Sequence, residues 1–169
     1  MRGKRWIAAV VIGATLGAGL PAVASARRQS LSAVVKGQRL KVRGHLVTSG
    51  RTTDGFSMVG GTKLSQLGQT LRAMAVECAF GLGDGTFPTA GRFCTIGYTE
   101  TRVAVGLGTR QWQSSTADTD PGSDVEVTFD SLNGRVLKGT FQGTLAPYGT
   151  NPEGPVTVKN GKFTAIFTN

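Results

Sequence analysis

Proton chemistry in this chain would have to run through ten acidic residues and a single histidine. His45 falls on the same side of an alternating run as Lys41 and Arg43. A catalytic base needs an oriented partner, and the run supplies none, so His45 reads as a surface residue. Neither a G-x-S-x-G elbow nor an H-E-x-x-H zinc motif is present. Gly81-Leu82-Gly83-Asp84-Gly85 has the glycine content of a phosphate loop without its lysine and following hydroxyl, and loop flexibility accounts for it. Asp84, Glu100, Asp130 and Glu153 offer pairs for a carboxylate-dependent glycoside hydrolase, a chemistry that separation in space decides. Trp112, Tyr98 and Tyr148 are the aromatics for stacking on sugar rings, with core packing their commoner use.

The densest run of ligating oxygens is Asp118, Asp120 and Asp124, continued by Glu126 and Asp130. Oxygen-rich loops of this type hold Ca²⁺ outside cells, where weak sites suffice. An EF-hand register begun at Asp118 puts Phe129 where the bidentate glutamate belongs, so that motif fails and a solvated acidic loop is expected. Asp118, Asp120 and Asp124 stay the weak Ca²⁺ candidate, and no catalytic or cofactor-binding residue is assigned.

Two cysteines, Cys78 and Cys94, are an even count, which in an oxidising compartment points to one disulfide. Antiparallel strands flanking the glycine-rich loop 81–91 would make them neighbours. Two buried thiols are the alternative. A zinc site would lack ligands, since two cysteines and one histidine fall short of four.

The oxidising compartment is inferred from residues 1–26, which have the three parts of a secretory signal: Arg2, Lys4 and Arg5, an apolar stretch from Trp6 to Leu20, and Ala24-Ser25-Ala26 before the expected cut. The apolar stretch is shorter than a spanning helix needs and is diluted by Gly13, Gly17 and Gly19. No cysteine lies near the cut, so the mature chain is expected free in the periplasm or medium, with no transmembrane segment. After cleavage sixteen basic residues face ten acidic ones. Seven of the sixteen fall between Arg27 and Arg51 without one acid among them, so the basicity belongs to the mature amino-terminal segment. Residues 27–37 read as a basic arm and 38–169 as the folded domain. Arg27, Arg28, Lys36 and Arg39 are the residues expected to hold anionic lipid or polysaccharide of the envelope, set against the plainer reading of a solvated tail. No nucleic-acid partner is expected.

Glycine at 25 residues, with many Thr, Val and Phe, indicates short strands joined by tight turns. Strands are expected at Gln38–Thr48, Phe56–Val59, Leu71–Phe80, Arg92–Tyr98, Arg102–Leu107, Val125–Phe129 and Val136–Leu145. Asn133-Gly134 marks a hairpin. Val156–Phe167 is either a further hairpin or one strand bulged at Asn160-Gly161. Residues 114–123 read as an exposed loop. About eight strands at short spacing suit a single antiparallel β-sandwich or a small β-barrel.

Gly85-Thr86-Phe87-Pro88, Gly91-Arg92-Phe93, Val125 to Phe129, Gly139-Thr140-Phe141-Gln142-Gly143 and Val156-Thr157-Val158-Lys159-Asn160-Gly161-Lys162-Phe163 form a pattern over the second half. In these pieces the chain resembles small exported bacterial all-β domains of unknown function. The resemblance implies export and a β-fold. It carries no catalytic residue and no substrate, and it includes neither the cysteines nor the basic arm.

Scarcity of catalytic groups favours a non-catalytic exported domain that binds a ligand or envelope component. The alternatives are a secreted hydrolase working through two carboxylates, which needs one desolvated carboxyl group, and a lipocalin-like carrier, which needs an apolar interior cavity. What decides between them is whether Val103, Val105, Phe141 and Phe163 meet inside or surround a void.

Overall fold

The structure, a computed structural model, describes residues 28–52, 55–62, 70–79, 93–102, 108–116 and 124–167. Within them the chain is nearly all strand: β1 (Ser30–Val35), β2 (Gln38–Arg43), β3 (Val47–Thr52), β4 (Gly55–Gly61), β5 (Thr70–Ala79), β6 (Phe93–Arg102), β7 (Thr109–Ser115), β8 (Asp124–Asn133), β9 (Val136–Tyr148) and β10 (Val156–Ile166). All pairings are antiparallel, in the order β2-β1-β10-β9-β7-β6-β5-β4-β3, with β8 also on β9. This single sheet curls into a nearly closed barrel.

Strand β9 holds the two halves together. Val136 to Thr144 pair with β8 on one edge while Val136 to Leu145 pair with β10 on the other, and Ala146 to Tyr148 cross to β7. The buried Ser114 hydroxyl accepts from the Ala146 N–H, 3.0 Å away, at that crossing. The free edge at β3 approaches β10, a strand paired on both sides. There the Ser49 hydroxyl accepts from the Ile166 N–H at 3.3 Å and lies within 3.0 Å of both the Ile166 carbonyl and Gln29 Oε1.

Alternation supplies the core. Leu31, Ala33 and Val35 of β1, Met74, Val76 and Cys78 of β5, Cys94, Ile96 and Tyr98 of β6, and Val125, Val127 and Phe129 of β8 all turn inward and are buried. Phe56 of β4 stacks on Phe163 of β10 with ring centroids 5.5 Å apart, and Phe129 and Phe167 meet it edge-on at 5.9 and 6.3 Å. Phe141 and Phe163, diagonal neighbours on β9 and β10, meet each other inside with ring centroids 6.4 Å apart. Val103 and Val105 lie outside the described residues.

Two glycines make that packing possible. Gly139 stands directly opposite Phe163 and Gly161 directly opposite Phe141. A Cβ on Gly161 would lie 2.5 Å from the Phe141 ring and against the Phe141 carbonyl. One on Gly139 would lie 2.5 Å from the Phe163 ring and against the Thr128 carbonyl. Each ring therefore occupies the space that its cross-strand partner leaves by having no side chain.

Cys78 and Cys94 are directly paired residues of β5 and β6, with Cα atoms 4.0 Å apart, and they form a disulfide. Leu71 to Ala79 and the Asn133-Gly134 hairpin fall where the periodicity puts them.

Among the described residues ten strands stand where about eight are expected. Ser30–Val35, inside the segment read as a basic arm, is a core strand whose small apolar residues are masked in the sequence by the cations around them. Gly44, at φ 65°, turns the expected strand 38–48 into β2, a short 3₁₀ turn at Gly44–Leu46 and β3. Polar Thr109–Ser115 is strand β7, so Ser114 and Ser115 are strand rather than the start of the expected loop, and residues 117–123 lie outside the described residues. The strand expected to end at Tyr98 continues to Arg102, and residues 103–107 lie outside the described residues. The carboxy-terminal run is one bulged strand rather than a hairpin.

Gly139→Ala and Gly161→Ala are each expected to cost about 2 kcal/mol or more, read as a lower urea midpoint. Gly108→Ala, with nothing within 4 Å of the added carbon, should leave the midpoint unchanged. Reduction of the bridge, which spans 16 residues, is expected to cost about 3 kcal/mol from loop entropy. Denatured, unreduced protein should take up no thiol reagent.

Candidate basic face and its flanking charge latch

Strands β2, β1 and β10 lie side by side, and their register arranges the outward side chains in cross-strand rows. Arg43, Ser30, Thr164 and Lys138 form one row; Lys41, Ser32, Lys162 and Thr140 form the next; Arg39, Val34 and Lys159 form the third. All six basic side chains are exposed, while Leu31, Ala33, Leu40, Val42, Phe163 and Ala165 between them point into the core. Among the described residues none of the six is ion-paired. The exposed acids of this half, Asp124, Glu126 and Asp130, stand on β8, across β9 from the cations of β2 and β10, while Lys138 stands on β9 itself.

Strict alternation would not bring Lys159 and Lys162 to one face, because they are three residues apart. The register slips between Val158 and Gly161, with Asn160 at φ 53°, a conformation that asparagine tolerates better than most residues. Val158 and Gly161 then point inward and both lysines point outward. The bulge thus re-aims a cation.

At one end of the barrel a second group of charges is tied up. Lys36 and Gly37 form the β1–β2 turn, both with positive φ (52° and 72°), the signature of a type I′ hairpin. Lysine is a costly choice there. Its ammonium lies 3.9 Å from the centre of the Trp112 ring and donates to Glu100 at 3.2 Å and to Glu153 at 2.6 Å. Arg110 also pairs with Glu153, and Arg72 Nε lies 3.6 Å from Glu100. The Tyr98 hydroxyl donates to Glu100 at 2.7 Å, and the Trp112 indole N–H donates to the Gly154 carbonyl at 3.0 Å. One ammonium therefore joins the β1–β2 turn to β6, β7 and the loop before β10.

Burial pushes the Glu100 carboxyl up, but hydrogen bonds from Tyr98 and Lys36 and the charges of Lys36 and Arg72 outweigh it, so its pKa falls below the ordinary 4.5. Glu153 is also lowered, through the Lys36 hydrogen bond first and, against slight desolvation, the charges of Lys36, Arg110 and Arg102. Tyr98 is pushed far up by burial and by Glu100, so it remains a donor. Glu100 and Glu153, two of the four carboxylates considered for hydrolysis, thus share an ammonium. Both are held ionised, and this pair has no raised carboxyl group to serve as general acid at neutral pH.

Asp130, the third of the four, is exposed on β8, and Asp84 lies outside the described residues. Asp118 and Asp120 lie outside them too, and Asp124 is exposed at the start of β8. Among the described residues no three His, Cys, Asp or Glu side chains gather as a metal site. His45 is exposed on the 3₁₀ turn. Trp112 and Tyr98, considered for sugar stacking, are each 1% exposed and pack on each other at 5.7 Å, whereas Tyr148 is exposed. Tyr148 edges a shallow outer depression of about 50 Å³ floored by Ala73, Ala75 and Gly97, room for a few waters. Of the residues expected to meet anions, Arg39 is on the basic face, Lys36 is in the latch, Arg28 is exposed, and Arg27 lies outside the described residues. Lys138, Lys159 and Lys162 were missed because they are far from the amino-terminal cations in sequence; only the pairing of β1 with β10 joins them. No family model matches this chain, and no curated protein or solved structure matches it either.

A carboxyl group whose folded pKa is lowered stabilises the fold above its unfolded pKa, and that stability is lost as pH falls through the folded value. Melting temperature should therefore fall below about pH 4.5, the ordinary glutamate value. Lys36→Asn relieves the turn while removing the ammonium. It should leave neutral-pH stability within about 1 kcal/mol and make the fall in melting temperature on acidification smaller than in the parent, because the folded pKa values move back toward the unfolded ones.

Proposed function

We propose that this chain is an exported, non-catalytic β-domain that binds an anionic component of the cell envelope through its basic face. One observation carries the reading: six exposed cations from three strands, none of them ion-paired among the described residues, stand in ordered rows on one side of the barrel. Unneutralised cations in such density repel one another and attract polyanions. The rest of the molecule supports the reading. Among the described residues the interior is packed with phenylalanine and aliphatic side chains. Glu100 and Glu153 are neutralised by Lys36, Arg72 and Arg110. Export rests on the three-part pattern of residues 1–26. Anionic lipid and anionic polysaccharide both carry the charge this face would meet.

The chain produced with residues 1–26 should be recovered with Arg27 at its amino terminus by Edman sequencing. The mature protein should sediment with isolated cell envelopes at low ionic strength and be released by about 0.5 M NaCl, where screening collapses such contacts. Retention of the leader, or envelope binding indifferent to salt, would overturn the reading.

A further inference from the structure

The geometry of the basic face points to one kind of anion: a linear polysaccharide with an acidic group on each repeat, lying along β1 between the cations of β2 and those of β10. This inference rests on the reading that the face binds anions, and it names which.

Shape is the first reason. The outward residues of β1 are Ser30, Ser32 and Val34, all short, whereas Arg39, Lys41 and Arg43 of β2 stand on one side and Lys159 and Lys162 of β10 on the other. The result is a trough one strand wide with cationic walls. Adjacent strands lie about 4.8 Å apart, so the walls are about 10 Å apart. A single extended sugar chain fits that width. Successive rows follow at about 7 Å along the strand, a periodic array that a polymer with repeated charges can engage at several points at once.

Chemistry is the second. The trough carries the hydroxyls of Ser30 and Ser32, with Thr164 and Thr140 continuing the rows outward. Hydroxyl groups both donate and accept, which suits sugar hydroxyls between the acidic groups.

The other polyanions lack matching features. A protein that lies on an anionic bilayer gains most of its hold by inserting apolar side chains below the headgroups. Among the described residues the large exposed apolar side chains are Phe93 on β6 and Tyr148 at the end of β9, and neither belongs to the three rows. Single-stranded nucleic acid is held by aromatic platforms between cations, and the three rows contain no aromatic residue.

The test uses the mature protein, residues 27–169, titrated with sodium polygalacturonate, neutral dextran, phosphatidylglycerol vesicles and a single-stranded oligonucleotide. Polygalacturonate should bind and dextran should not. Affinity should fall at least about 10-fold between 50 and 200 mM salt as counterions are released. Monomeric galacturonate should bind far more weakly than the polymer, since one charge meets one row. Lys41→Glu with Lys162→Glu, reversing both walls of the central row, should cost at least about 10-fold. Lys41→Arg with Lys162→Arg should remain within about 2-fold of the parent. These side chains are exposed, so both variants should melt with the parent, and unchanged melting separates lost binding from lost folding. Binding to vesicles or oligonucleotide in preference to polygalacturonate would overturn the polysaccharide and leave the anionic reading standing. Binding to none of the three polyanions, or polygalacturonate binding indifferent to the double reversal, would overturn both.

Discussion

Across the pairing of β9 with β10, two phenylalanines and two glycines face one another in opposite senses: Phe163 lies over Gly139, and Phe141 lies over Gly161. Neither ring would fit if its partner carried a Cβ, and neither glycine would be well covered without its ring. The consequence reaches most of the barrel. Strand β9 carries β8 on one edge and hands its end to β7, and β10 carries β1 and through it β2. Phe163 in turn stacks on Phe56, which belongs to the other half of the barrel. A shift in this reciprocal contact would move the strands on both sides of it and the aromatic cluster they enclose.

The same pair of strands also shapes the outside. Gly161 must point inward under Phe141, while Lys159 and Lys162 stand on either side of the Asn160-Gly161 bulge. An extra residue in β10 reconciles the two demands, since it breaks the inward-outward alternation once and lets two lysines three residues apart share a face. The cations of the amino-terminal strands then gain partners from the carboxy-terminal one. The cations that crowd the amino-terminal segment in the sequence supply, through Arg39, Lys41 and Arg43, half of a surface in the fold.

At the end of the barrel Lys36 has the opposite fate. Its backbone occupies a conformation that asparagine or glycine would adopt more cheaply. Its ammonium rests between Trp112, Glu100 and Glu153. Basic residues next to one another in sequence are thus divided by the turn at 36–37, with Lys36 spent on closing the barrel end and Arg39, Lys41 and Arg43 left facing solvent. The two carboxylates considered for hydrolysis, Glu100 and Glu153, are neutralised by the same arrangement.

Local pattern was enough for the all-β class, for strands at Leu71–Ala79, Val125–Phe129 and Val136–Leu145 though not for the full length of the last two, for the Asn133-Gly134 hairpin and for the pairing of Cys78 with Cys94. Each depends on neighbours in the chain: period-two burial, turn propensity, or two strands flanking one loop. Strand β1 and strand β7 were not legible, the first because small apolar residues among cations have little pattern, the second because only Trp112 and Ser114 of its largely polar residues are buried. Nor could the basic face be read, since Ser32 meets both Lys41 and Lys162 only when the first and last strands lie side by side. Sequence alone determined what repeats along the chain, because alternation is a property of adjacent residues. The tertiary structure decided which charges share a surface and which cancel, because distance between strands, not separation along the chain, sets how charges act on one another.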